Sequence, residues 1–169
     1  MKDAAGANGC ATVWIVVYDA SAGFITGGGW IDVAAGSYTA NPALTGRANF
    51  GFNSQYKKGA TIPTGETEFT FQVGNMNFHS TSYNWLVISG YKAQYKGVGT
   101  INGAGSYEFT LTAYDGQVTA SGGVDKFRIR ITGANNGAVV FDNKILAPTD
   151  MDAADPQAIS GGSIVIHKV

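Results

Sequence analysis

Residues 124–143 read VDKFRIRITGANNGAVVFDN. Asp125, Phe127, Ile129 and Ile131 fall on one face, and Lys126, Arg128 and Arg130 on the other. That period of two marks a half-buried strand. Asn136 and Gly137 tolerate positive φ, and Val139, Val140 and Phe141 resume an apolar run. The stretch therefore predicts a β-hairpin with a short loop. Lys126, Arg128 and Arg130 form a basic stripe that could meet sulfated or phosphorylated polymers. The plainer reading is a solvent face whose cations pair across strands with carboxylates such as Glu66, Glu68 or Glu108.

The same period recurs on both sides of this hairpin. Ala48, Phe50 and Phe52 alternate with Arg47, Asn49 and Asn53. Thr67, Phe69, Phe71 and Val73 alternate with Glu66, Glu68, Thr70 and Gln72, and Met76 and Phe78 continue in phase. Residues 83–88, YNWLVI, are apolar enough for a central strand, with Trp85 in the core. Asn102-Gly103 is a second hairpin signal, joining Tyr91, Ala93 and Tyr95 to Tyr107, Phe109 and Leu111. Gly97 and Gly99 predict a bulge, and Gly27, Gly28 and Gly29 a bulge or a close backbone approach. Residues 161–168 end the chain as a last strand. No segment of ten residues keeps a helical period, though Thr149 or Asp150 could cap one helical turn before Pro156. The expected fold is an all-β antiparallel sandwich, partly barrel-like, of about ten short strands without substantial helix.

Composition agrees. Charged residues make up 14% of the 169, against a usual ~25%. With 24 glycines and 12% aromatics this indicates a β-protein with tight turns and a neutral polar surface. A net charge of −1 argues against nucleic acid, which needs a basic face. No apolar run is long enough for a membrane span. The single Cys10 makes neither an internal disulfide nor a zinc set. Residues 1–11 read as a flexible arm and 12–169 as one domain. The first ten residues lack the apolar core of a secretory signal. Val13, Trp14, Ile15, Val16, Val17 and Tyr18 form a strand apolar on both faces, suited to pairing with or exchange into a partner.

Residues 18–31 (YDASAGFITGGGWI), 44–52 (LTGRANFGF) and 78–117 look familiar together, and 122–131 (GGVDKFRIRI) and 161–167 (GGSIVIH) fit with them. The set resembles the post-COAP type of C-terminal β-domain that follows PKD-type or hyalin-type Ig-like repeats in large secreted bacterial proteins. GFITGGGWI with ANFGF is a quite specific part of it. The resemblance implies an extracellular, non-enzymatic module with no catalytic residues to carry over. It also implies that VVYD belongs to the end of a preceding repeat, which leaves residues 12–18 without that strand's usual sheet.

Apart from the resemblance, the residues themselves offer few sites. Glu66 and Glu68 are paired carboxylates, as glycosidases use, but the strand alternation alone accounts for them. His79 and His167 stand in no metal-ligand spacing. The Gly27–Gly29 run lacks the lysine and helix of a phosphate loop. Asp150, Asp152 and Asp155 crowd three hard oxygen donors into six residues, a candidate Ca²⁺ loop, although the spacing is not that of an EF-hand and a solvated turn explains it as well. Trp30 and Trp14 are candidate platforms for polysaccharide. The function expected is a non-enzymatic extracellular structural or interaction module. The alternatives are a subunit that self-assembles through residues 13–18, and a carbohydrate-binding module.

Overall fold

A computed structural model of the chain describes residues 23–168. The expected strand at residues 13–18, Trp14 and Cys10 lie outside the described residues. Ten strands follow: β1 (Phe24–Val33), β2 (Gly46–Gln55), β3 (Thr64–Phe71), β4 (Met76–Ser89), β5 (Lys92–Ile101), β6 (Ala104–Tyr114), β7 (Lys126–Gly133), β8 (Val139–Asp142), β9 (Gln157–Ala158) and β10 (Gly161–His167). They form one antiparallel sheet in the order β10-β1-β2-β3-β4-β5-β6-β7-β8, with β9 added on β7. The sheet does not close. It folds over as a sandwich, so that rings of β2 and β3 meet rings of β7 and β8. Phe127 stacks on Phe50 at 4.1 Å, and Phe69 meets Phe141 at 4.8 Å.

The fold line is β4, at 14 residues the longest strand. Its first residues pair with β3 and its remainder with β5, and the register shifts at Ser80/Ser82 and again at Tyr83/Trp85. Each shift bends the strand and adds twist. Where β4 leaves β3 the ladder stops at Glu68 and His79, and side chains take over. Thr67 N–H donates to Ser80 Oγ at 2.9 Å. Thr67 Oγ1 lies 2.9 Å from the Tyr83 hydroxyl and 2.8 Å from that of Tyr95, and Ser80 Oγ is 3.1 Å from Tyr83. Farther along β4, the Tyr56 hydroxyl accepts from Leu86 N–H and donates to its carbonyl. Buried polar groups need such partners, because an orphaned one costs about 1–3 kcal/mol.

Burial pushes the Tyr95 phenol well above its ordinary 10.0 and raises Tyr83 as well. An acid whose folded pKa is raised holds its proton in the native state after the unfolded chain has lost it. The associated stability is therefore complete below pH 10 and drains away as pH climbs from there toward the folded value. Urea midpoints measured from pH 8 to 11 should fall above pH 10, and Tyr95→Phe should flatten that fall. Equal slopes in the two proteins would mean that the cluster is not responsible.

Several expectations hold and others need correcting. Asn102 and Gly103 both adopt positive φ, 53° and 73°, in the two-residue β5–β6 turn. The 124–143 hairpin forms, with Gly137 at φ 65°. Pairing of β1 runs without a register shift on both sides, so Gly27 and Gly29 serve close approach and not a bulge. A Cβ on Gly27 would strike the Phe52 ring, and one on Gly29 the carbonyl of Gly161. The irregularity near Gly99 is real, falling between Gly99 and Ile101. Val73 does not extend the inward row of β3. It is 55% exposed in a 3-10 turn (Gln72–Gly74), which Asn75 closes at φ 49° to start the β3–β4 hairpin. Trp85 is half-buried and not a core residue, because β4 is bending there. Residues 149–154 form a single turn in which Asp150 Oδ1 accepts from Ala153 N–H.

The largest correction concerns β7. Arg128 is not on a solvent face: it is 2% exposed and Asp142 1%. Nε and Nη2 grip the Asp142 carboxylate at 2.9 and 2.8 Å. The remaining N–H groups reach the carbonyls of Ala147, Pro148 and Ala154. All five guanidinium donors are used. Residues 144–156 are thereby drawn across the outside of β5–β7, where Gln94 Nε2 donates to Thr149 O and the Tyr114 hydroxyl to Met151 O. Arg130 also faces Asp142, at 3.6 Å. Cross-strand pairing is the right kind of partner for these cations, but the carboxylate is Asp142 on β8. Lys96 is the cation that takes Glu108, at 3.2 Å.

Candidate functional site

The two layers have unlike outsides. That of β5–β7 is covered by residues 144–156 at its Gln94, Tyr114 and Arg128 end, while Lys96, Glu108 and Arg130 stay half-exposed, whereas that of β10, β1, β2 and β3 carries no such cover among the described residues. Strand alternation sends Phe24, Thr26, Gly28, Trp30 and Asp32 of β1 outward, because Ile25, Ile31 and Val33 point into the core. On β2 the outward set is Arg47, Asn49, Gly51 and Asn53, and on β3 it is Glu66, Glu68 and Thr70. Pairing lines these up in rows. Trp30, Asn49, Thr70 and Asn77 make one row, and Thr26, Asn53 and Glu66 another. Between them run Ser163, Gly28, Gly51, Glu68 and His79. His79 Nδ1 meets Glu68 Oε1 at 3.1 Å. At the near edge Thr26 Oγ1 lies 3.0 Å from His167 Nε2, and the His167 ring stacks on Phe24 at 4.2 Å.

Trp30 sits in this face but is not an open platform. Its ring lies across Gly161, where any Cβ would collide with it. The Arg47 guanidinium stands 4.6 Å from the ring centroid. Gly28 and Gly51 are directly opposite each other. Neither adopts a positive φ, and a Cβ on either would meet nothing closer than 3.9 Å. The backbone therefore lies bare between the row of Trp30, Asn49, Thr70 and Asn77 and the row of Thr26, Asn53 and Glu66.

The structure does not bring Asp150, Asp152 and Asp155 to one point. Asp150 caps its own turn, Asp152 pairs with Lys92 at 3.1 Å, and Asp155 pairs with Lys144 at 3.0 Å. Among the described residues no three acidic, histidine or cysteine side chains converge as a metal would need. Glu66 and Glu68 are exposed on the outer face, as the alternation predicts.

Two carboxylates whose roles do not show in the sequence matter more to the architecture. Asp125 Oδ2 accepts from Ile164 N–H at 2.7 Å and Oδ1 from Gly116 N–H at 2.6 Å. Asp115, 2% exposed, accepts from Ile166 N–H at 2.8 Å and Gln117 N–H at 2.8 Å. They tie the terminal strand β10 to the β6–β7 connection and bridge the gap left by the unclosed sheet. The opposite end is covered by the β1–β2 loop, where Thr39 N–H donates to Val140 O and Asp142 N–H to Ser37 O. No protein-family model, curated protein or solved structure matches this chain.

Proposed function

We propose that this chain is a non-enzymatic interaction module of a secreted or surface bacterial protein, and that its contact surface is the outer face of β10, β1, β2 and β3. The observation that carries the reading is the inequality of the two outsides. One is covered around Arg128 by residues 144–156, and the other displays amides, hydroxyls, Trp30 and the carboxylates of Glu66 and Glu68 around bare backbone. The extracellular setting is supported by the low charge and by the likeness of residues 18–31, 44–52 and 78–117 to post-COAP domains.

The ligand class favoured by this face is a neutral polysaccharide. Asn49, Asn53, Thr70 and Asn77 are hydrogen-bonding groups suited to hydroxyls, and the indole of Trp30 offers an aromatic edge beside them. Gly51→Thr tests this reading, because fold and binding should move in opposite directions. A threonine in an exposed strand position with room for Cβ should raise stability by about 1 kcal/mol. The same side chain should abolish retention on cellulose, xylan, chitin or starch, and Trp30→Ala should weaken it at least tenfold. If the wild-type protein passes all four polysaccharides unretarded, or if both variants keep full retention, the face is not a glycan site.

A further inference from the structure

Among the described residues β10 ends the sheet, pairing with β1 on one side only. On its other side the N–H groups of Ile164 and Ile166 are occupied by carboxylates and not by a strand. In an antiparallel strand the N–H and C=O of one residue point the same way. Ile164 and Ile166 therefore each present a donor and an acceptor at this edge. Such an edge is self-complementary. Rotated about an axis through Val165, Ile164 of one copy stands opposite Ile166 of another, and each pair can exchange both of its bonds. Ser163 then faces His167, and Val165 faces its own image. The run Ile164, Val165, Ile166 is β-branched throughout and favours extended backbone. The side chains of Ile164 and Ile166 stay in their own core, 0% and 7% exposed. An apolar edge of this kind is what natural sheets guard with inward-pointing charge.

We propose that β10 is a latent dimerisation edge, held shut by Asp115 and Asp125, at which a second copy of this chain pairs antiparallel about a two-fold axis at Val165. The partner is a second copy because an identical edge matches these donors and acceptors and gives a closed, isologous interface. The two aspartates occupy the positions a neighbouring strand would take. They also hold the loop after β6 against the edge, since Asp125 binds Gly116 N–H and Asp115 binds Gln117 N–H.

The test is Asp115→Asn with Asp125→Asn. An amide has one accepting oxygen, so each replacement turns an NH₂ toward a backbone N–H that the carboxylate had satisfied. Light scattering over a hundredfold concentration range should show the double variant dimerising reversibly, while the wild type forms no dimer through this edge. Amide hydrogen exchange should show Ile164 and Ile166 exchanging at least tenfold more slowly in the dimer than in the dilute variant. Val165→Lys, added to the double variant, places like charges directly opposite across the axis and should restore the monomer. The proposal is overturned if the double variant stays monomeric, if the dimer survives Val165→Lys, or if those two amides stay unprotected in it. Loss of the dimer on deleting residues 1–22 overturns it too, because the added strand would then be the N-terminal one. If the double variant does not fold, Asp115→Asn alone is put through the same measurements, and the same outcomes support or overturn the proposal.

Discussion

Arg128→Met is expected to lower unfolding stability by about 3–5 kcal/mol, the cost of leaving one member of a buried ion pair alone. The methionine keeps the volume and apolar stem but removes every donor. Asp142 is then a buried carboxylate that keeps only Lys144 N–H and the more distant Arg130. The carbonyls of Ala147, Pro148 and Ala154 lose their partner at the same time. Against a usual total of about 5–15 kcal/mol this is a large fraction. Chemical denaturation would measure it. Arg128→Met with Asp142→Leu should recover only part of the loss: the pair can be replaced by apolar groups, but three carbonyls of residues 144–156 still need a donor. Recovery to wild-type stability would show that the guanidinium matters to Asp142 alone and not to the segment it gathers.

Phe127→Ala should cost a similar amount, about 3–5 kcal/mol. Phe127 is fully buried and is the ring on which the two layers meet. It stacks on Phe50 at 4.1 Å and approaches Phe52 and Phe69 at 6.1 Å each. Removing it opens a cavity between layers that are joined covalently only through β4 and the loops, so collapse cannot readily refill the space. Phe127→Leu, which keeps most of the volume, should cost well under half as much. Equal losses for the two variants would mean that ring stacking, and not filled volume, dominates here.

Both sites lie in the stretch that best predicts the fold, yet only one of them is legible there. Phe127 belongs to an alternating row, and the alternation assigns it to the core. Arg128 belongs to the opposite row, and the alternation assigns it to water. Alternation reports that a strand has two unlike sides, and it is silent on whether a later irregular segment covers the polar one. Residues 144–156 have no period of their own and cover β7 through hydrogen bonds to carbonyls, a pattern that any sequence could supply. Alternation also puts Asp125 on the inward row, but its partners on β10 and in the β6–β7 loop leave no local mark in the chain. Gly161, whose missing side chain leaves room for the Trp30 ring, is 131 positions from it in the chain, so the covered state of that indole is equally hidden.

The sequence by itself determined most of the described strands, most inward rows and the Asn102-Gly103 turn, because a period of two and a positive φ depend only on neighbouring residues. The tertiary structure alone decided which strand became an edge, how that edge was capped, and which of two polar faces stayed open. Those outcomes depend on where the sheet bends and how far it curls, and that is settled by contacts between residues far apart in the chain. Thr26 touches His167 across 141 positions, and Ile166 reaches Asp115 across 51.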